Sequence, residues 1–325
     1  MKQLFHILVQ NFTKLHPLQH VITRNVNRCK CKTPVYITSK KKIISIKHLV
    51  IKKRRKSPCI YEEFPKIRFI PMSKPHLLLL SSSKVHGYEF LEYAASDIKN
   101  FLNKSGVSTV LFVPYAAVDH DAYLKKVTPV FNKWGYQVEG IHNNNPIEAV
   151  KKAEAIFVGG GNTFLLLKTL YDKQVVNLIR ERVLKGGIPY IGSSAGTNVA
   201  APTIHNTNDM PIVYPQSFSA LNLIPFNINP HYLDPDSTSK HKGETREERI
   251  LQYHELPPEY PVHHVLGLRE GCTLHVDGDV AILKGIANAR LFLRGKPPQE
   301  IPLESNLSHL LTKNICVEQE LQILQ

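Results

Sequence analysis

The chain reads as an α/β protein: a mostly parallel sheet flanked by helices on both faces, with a mixed or antiparallel C-terminal portion. Three observations predict it. Between positions 76 and 191, short apolar runs alternate with segments of helical character, the pattern of a parallel sheet buried on both faces. Two glycine turns, Gly159-Gly160-Gly161 and Gly192-Ser193-Ser194-Ala195-Gly196, fall where such strands end. Beyond Ala200, prolines and short strand-like runs replace the alternation.

Each element follows from its own residues. Positions 76–80 form a short apolar strand, 88–102 a helix, and 107–113 a β-branched strand. Positions 123–134 supply a helix and 136–141 a strand. Positions 146–152 make a short helix opened by Pro146, whose missing N–H costs nothing there. The strand 155–158 runs into the first glycine turn, and helices at 164–171 and 175–184 precede the strand 188–191. Pro202, Pro211, Pro215, Pro225 and Pro230 then punctuate loops, followed by a helix near 244–253. Strands are expected at 262–268, 272–276, 280–283 and 289–293, with Asp277-Gly278 as a hairpin turn. Residues 74–297 are thus one α/β domain, of a size that a single core can fill. Residues 298–325 are read as a tail with an apolar stripe, Leu307, Leu310 and Leu311. Ligands should meet this domain beyond the carboxyl ends of its parallel strands.

The charge is uneven. Residues 1–73 carry 17 Lys and Arg against Glu62 and Glu63, a net +15, whereas the whole chain is +14. Residues 74–325 are therefore close to neutral. The runs Lys40-Lys41-Lys42 and Lys52-Lys53-Arg54-Arg55-Lys56 are not interleaved with aromatics, and no nucleic-acid-binding signature accompanies them, so no specific nucleic acid partner is expected. No run approaches the ~20 apolar residues of a transmembrane segment, and the interrupted apolar stretches do not form a secretory signal. Residues 1–73 are read as a basic extension, either a solvated tail or a targeting segment. Their acid-free first part is compatible with an organelle presequence, although Pro34 and Ile43-Ile44-Ser45-Ile46 oppose a long amphipathic helix. Cys29, Cys31, Cys59, Cys272 and Cys316 make neither a zinc pattern nor a disulfide framework, which fits a reducing, cytoplasmic compartment.

Gly192-Ser193-Ser194-Ala195-Gly196 spells G-x-S-x-G directly after an apolar run. A serine at the tip of a strand-to-helix turn needs small neighbours, and it lies beside the first free N–H groups of the helix, where an oxyanion can be held. Ser194 is therefore a candidate nucleophile. Its hydroxyl needs a neutral imidazole to accept the proton and a carboxylate to orient that imidazole. The residues themselves leave two histidines open, His231 in Asn229-Pro230-His231 and His205 in Thr203-Ile204-His205-Asn206, and two acids, Asp209 and Glu270. The glycine turn lacks a Gly-Lys-Ser/Thr ending and the spacing of a dinucleotide fingerprint, which argues against a nucleotide site.

Several motifs in the same order resemble those of the peptidase E family, the cytosolic α-aspartyl dipeptidases. Residues 155–164, Ala-Ile-Phe-Val-Gly-Gly-Gly-Asn-Thr-Phe, resemble the family's glycine turn, and residues 192–198 its serine elbow. Ala201-Pro202-Thr203, the blocks 207–212 and 241–249, and Asn229-Pro230-His231 continue the likeness, which covers roughly 75–293. The resemblance implies covalent acyl transfer, with Ser194 as nucleophile, His231 as base and Glu270 as third member. It also implies oxyanion donors at Ala195 and at Gly161 or Asn162, and Asp209 organising the site or the substrate amine. The implied substrates are Asp-X dipeptides, with Arg246 gripping the aspartyl side chain; no metal or organic cofactor is implied. One departure is Leu268-Arg269-Glu270-Gly271, where the family commonly has proline before the glutamate. Two other readings remain compatible with these residues: a serine hydrolase of another aspartyl peptide or polymer, and a non-catalytic binding protein on the same fold.

Because the +15 charge lies outside the matching body, deletion of residues 1–71 is expected to preserve Asp-dipeptide hydrolysis and to weaken salt-sensitive adhesion to polyanions. A dipeptide assay on the purified truncation checks this. A folded but inactive product would show that the extension completes the enzyme.

Overall fold

In the computed structural model, which describes residues 75–312 except 237, 239, 241, 242 and 258, the leucine run of 76–80 lies inside the larger sheet. Strand β1 (His76–Leu80) sends alternate side chains to opposite faces. Leu77 and Leu79 enter one apolar core, Leu78 and Leu80 the other. Together with β2 (Thr109–Val113), β3 (Gln137–Gly140), β4 (Ala155–Val158) and β5 (Tyr190–Ser193), it forms a parallel array in the order β3-β2-β4-β5-β1. Helices α1 (Ala95–Lys104) and α2 (His120–Lys133) cover one face through Ile98, Phe101, Val127 and Phe131. Helices α3 (Pro146–Lys152), α4 (Thr163–Asp172) and α5 (Val176–Leu184) cover the other through Val150, Leu166, Leu170 and Ile179.

The later strands divide between two sheets. Strand β8 (Cys272–Asp277) extends the first sheet antiparallel to β1, and β9 (Val280–Gly285) pairs antiparallel with β8, the two joined by Gly278-Asp279 with Gly278 at φ 65°. The turn is thus one residue later than expected. Strands β6 (Asn227–Pro230), β7 (Val265–Leu268), β10 (Ala289–Phe292) and β11 (Gln299–Ile301) form a separate sheet, ordered β11-β10-β7-β6, in which β6 and β7 run parallel. Helix α7 (Arg246–His254) packs on it through Ile250 and Tyr253 against Tyr232, Val265 and Phe292, and opens with a capping box between Thr245 and Glu248. The short helix α6 (Ala195–Asn198) follows β5.

Several boundaries moved for local reasons. The helix expected from 88 starts at 95 after a 3₁₀ turn, because Leu91 sits at φ 60° and Tyr88 bridges back to Val85. The helix expected from 123 starts at 120, where Asp119 accepts the Ala122 N–H. Strand β6 has no apolar alternation to announce it, and β11 lies within the expected tail, where Leu307 and Leu310 are also buried. The basic extension, Cys29, Cys31, Cys59, Cys316 and residues 313–325 lie outside the described residues. Cys272 is buried, and burial pushes its thiol up to about 12.

The turn from β5 into α6 passes so close to β4 that a Cβ on Gly196 would lie 2.1 Å from the Val158 carbonyl oxygen. Neither backbone can yield without breaking sheet pairing. Gly196→Ala should therefore cost about 3 kcal/mol or more. Gly106→Ala, at φ 63° with nothing within 4 Å, should cost only about 1–2 kcal/mol. Urea unfolding midpoints measure both, and the reverse order would contradict the packing argument.

Candidate active site

Ser194 occupies the β5–α6 junction at φ 54° and ψ −112°, a sparsely populated conformation that costs of order 1–3 kcal/mol and turns the side chain out of the packing. Backbone bonds hold it there. Its N–H donates to the Leu80 carbonyl at 3.1 Å, and its carbonyl accepts from the Thr197 and Asn198 N–H groups, each at 2.9 Å. The glycine turn closes from the other side: a Cβ on Gly160 would stand 2.9 Å from Ser194 Cβ.

His231 follows β6, and Glu270 lies just past β7. Parallel pairing of these strands, ending at Pro230 opposite Leu268, brings both residues to one edge. His231 Nε2 lies 2.9 Å from Ser194 Oγ, and Nδ1 lies 2.8 Å from Glu270 Oε1. A neutral imidazole with its proton on Nδ1 donates to the carboxylate and accepts from the serine hydroxyl. His231 itself sits at φ 53°, with its N–H donating to Ser81 Oγ at 2.9 Å. The competing His205 is elsewhere. Its ring packs against Phe218 and Tyr253, burial lowers its pKa, and among the described residues it makes no hydrogen bond to Ser194 or Glu270.

The other expected site residues divide. Among the described residues, the N–H groups of Ala195 and Gly161 meet no backbone acceptor, whereas the Asn162 N–H donates to the Ala116 carbonyl at 2.9 Å. Asn162 is instead the cap of α4, accepting from Leu165 at 3.0 Å and donating to the Met210 carbonyl at 2.8 Å. The expectation of a donor at Asn162 is thus corrected: its N–H is already bonded to the Ala116 carbonyl. Asp209 does not approach His231 as a hydrogen-bond partner. Its Oδ2 accepts the Thr163 N–H at 2.7 Å, at the start of α4. Arg246, the first residue of α7, is half-buried and makes no ion pair or hydrogen bond among the described residues. Burial and then Arg249 lower its pKa, while the charges of Asp209 and Glu270 oppose them. Both carboxylates therefore act on its guanidinium.

Three supports escaped the sequence reading. Tyr123 Oη accepts the Gly160 N–H at 3.0 Å, Asn208 Nδ2 donates to the Pro230 carbonyl at 2.8 Å, and Ser81 holds His231. Only Ser81 carried a usable signal, since it directly follows an apolar strand at its carboxyl end. The unusual Arg269 also finds a purpose. It bonds both oxygens of Asp234 at 2.7 Å, both oxygens of Glu300 at 2.8 and 3.0 Å, and the Asn288 carbonyl at 3.0 Å. This bidentate clamp restrains the residue next to Glu270.

The sequence profile of peptidase family S51 matches residues 77–284, more than half of the chain and the stretch that carries Ser194, His231 and Glu270. The chain belongs to this family. It is 52% identical over 245 residues to a Drosophila melanogaster protein named "Probable alpha-aspartyl dipeptidase", covering 74% of this chain and 99% of that one. It is 49% identical over 240 residues to Peptidase E of Streptomyces coelicolor, covering 73% and 95% respectively. A crystal structure of a peptidase from an acI-B1 Actinobacterium shares the fold, with TM-score 0.54, 22% identity, and coverage of 73% of this chain and 97% of that chain. The family match leaves the basic extension outside.

Hydrogen bonding to Arg269 holds the Asp234 carboxyl below its ordinary range. A depressed carboxylate stabilises the fold above its unfolded pKa of ~3.9 and loses that contribution as pH falls through the folded value. Arg269→Met should cost about 1 kcal/mol at pH 7, the partly exposed partners limiting the effect, and this difference should shrink at pH 3. Urea midpoints of both proteins at the two pH values check it, and a pH-independent difference would reject the clamp.

Proposed function

We propose that this chain is a serine-type dipeptidase of the cytoplasm that hydrolyses dipeptides bearing a free N-terminal aspartate, through an acyl-enzyme. The observation that carries this reading is His231, set within hydrogen-bond length of Ser194 on one ring nitrogen and of Glu270 on the other. A solvated loop histidine has no reason to meet both. Ser194 Oγ attacks the aspartyl carbonyl carbon while His231 Nε2 takes its proton, and Glu270 supports the imidazolium that forms. The N–H groups of Ala195 and Gly161 receive the oxyanion, each well-placed donor contributing about 3 kcal/mol. His231 then returns the proton to the departing amine, which leaves as the second amino acid. Water, deprotonated by the same imidazole, attacks the ester and releases aspartate.

Specificity rests on charge. Arg246 carries no partner bond of its own among the described residues, and it receives the side-chain carboxylate of the substrate. Asp209, anchored through Oδ2 to the start of α4, offers its other oxygen to the substrate's ammonium. The name of the Drosophila melanogaster relative supports an aspartyl dipeptide rather than another acyl substrate. Among the described residues, no helix is long and apolar enough to cross a membrane.

Asp-Leu should be cleaved in preference to Asn-Leu by about 2–4 kcal/mol in kcat/KM, because asparagine leaves the guanidinium poorly paired. Arg246→Met should erase most of that preference while still reacting with a small activated ester. Ser194→Ala should remain folded and lose roughly four powers of ten in turnover. Equal cleavage of both dipeptides by the wild-type protein would reject aspartyl specificity, and near-normal turnover by Ser194→Ala would reject the nucleophile.

A further inference from the structure

We propose that Ser81 is a positioning residue that holds the backbone of His231 and the turn of Glu270 in register with Ser194. The proposal rests on the preceding reading of those three side chains as one reacting array. Ser81 follows β1, and its surroundings link it to all three. The carbonyl of Leu80, the residue before it, accepts the Ser194 N–H at 3.1 Å and the Thr197 hydroxyl at 2.6 Å. The Ser81 N–H donates to the Cys272 carbonyl at 2.9 Å, its hydroxyl donates to the Leu268 carbonyl at 2.8 Å, and its Oγ accepts the His231 N–H at 2.9 Å. Leu268 and Cys272 stand two residues to either side of Glu270. One fully buried residue therefore ties the base and both flanks of the acid to the strand end bonded to Ser194: its hydroxyl holds His231 and the Leu268 flank, and its backbone N–H holds the Cys272 flank.

The chemistry suits serine. A hydroxyl is the smallest side-chain group that donates and accepts at once. The Leu268 carbonyl also receives the Tyr232 N–H at 2.9 Å, so loss of the hydroxyl leaves the His231 N–H as the unmatched group. His231 at φ 53° is then free to relax toward a commoner backbone conformation, which would swing its ring away from Ser194. Ser82 is equally buried, but its Oγ bonds neither His231 nor Leu268, which makes Ser82→Ala a matched control.

The test uses the full-length chain. Ser194 modification by a fluorophosphonate reads nucleophile activation without any peptide substrate, and the downfield proton resonance of the His231 Nδ1–H reads its contact with Glu270. Ser81→Ala should slow fluorophosphonate modification and lower kcat for Asp-Leu by about 10–100-fold. KM should be unchanged, and the downfield resonance should broaden or disappear. Ser82→Ala should keep wild-type values. If Ser81→Ala does not fold, Ser81→Cys keeps the side-chain shape with a slightly larger, weaker donor and should shift the same readouts in the same direction. Wild-type modification rate and resonance in the folded Ser81 variant would overturn the proposal. A wild-type protein that reacts with the probe but ignores Asp-Leu would overturn the dipeptide reading instead, leaving the Ser81 comparison decisive. A wild-type protein inert to the probe would overturn the nucleophile, and the resonance would then decide Ser81 alone.

Discussion

The hydrogen bond between His231 and Ser194 joins two sheets that share no strand, and the rest of the architecture serves to keep its two ends 2.9 Å apart. A contact of this length tolerates little drift, because hydrogen-bond strength and proton transfer both fall away over a few tenths of an ångström. Ser194 is fixed by a glycine-lined elbow pressed against β4. His231 is fixed by the end of β6, by Asn208 on the Pro230 carbonyl, and by Ser81 across the gap. Positive φ at both Ser194 and His231 is backbone strain that isolated turns would shed. It persists because neighbouring hydrogen bonds and packing determine these conformations from outside.

Electrostatics adds a second layer of order. Arg246 is half-buried between the influence of Asp209 and Glu270 without an ion pair to either, so its charge is compensated at a distance rather than quenched by contact. Such a guanidinium can meet an incoming carboxylate without first breaking a strong bond. Arg269 shows the opposite arrangement. Its donors are saturated by Asp234, Glu300 and the Asn288 carbonyl, and its role is consequently mechanical. Two arginines near one glutamate thus differ in their bonding: one saturated, the other without an ion pair among the described residues.

The glycine turn shows how capping chemistry divides neighbouring backbone groups. Asn162 spends its N–H on Ala116 and its side chain on the first turn of α4, Gly160 spends its N–H on Tyr123, and Gly161 keeps its own. A Cβ at Gly161, which adopts φ 140°, would lie 2.2 Å from the Ala116 carbonyl oxygen. Only glycine can occupy that point.

What the sequence by itself determined is local or rests on contiguous residues. The strands β1 and β4 and the helix α3 are legible because continuous apolar runs and an N-terminal proline report on their own segments. The elbow around Ser194 is legible because its glycines and serine are contiguous and directly follow an apolar run, although the close approach that requires glycine at 196 comes from Val158 on β4. The choice of His231 over His205, and of Glu270 over Asp209, needed either the family likeness or the fold. Both histidines follow similar apolar loops, and nothing in their immediate neighbours reports a partner 37 or 39 residues away. Strand β6 was hidden because Asn227 and Asn229 are buried for hydrogen bonding rather than for apolar burial, which erases the alternation that marks a strand. Tyr123, the Arg269 clamp and the bonding partners of Ser81 were decided by tertiary structure alone, since a polar side chain's role depends on which donors and acceptors folding brings within about 3 Å of it.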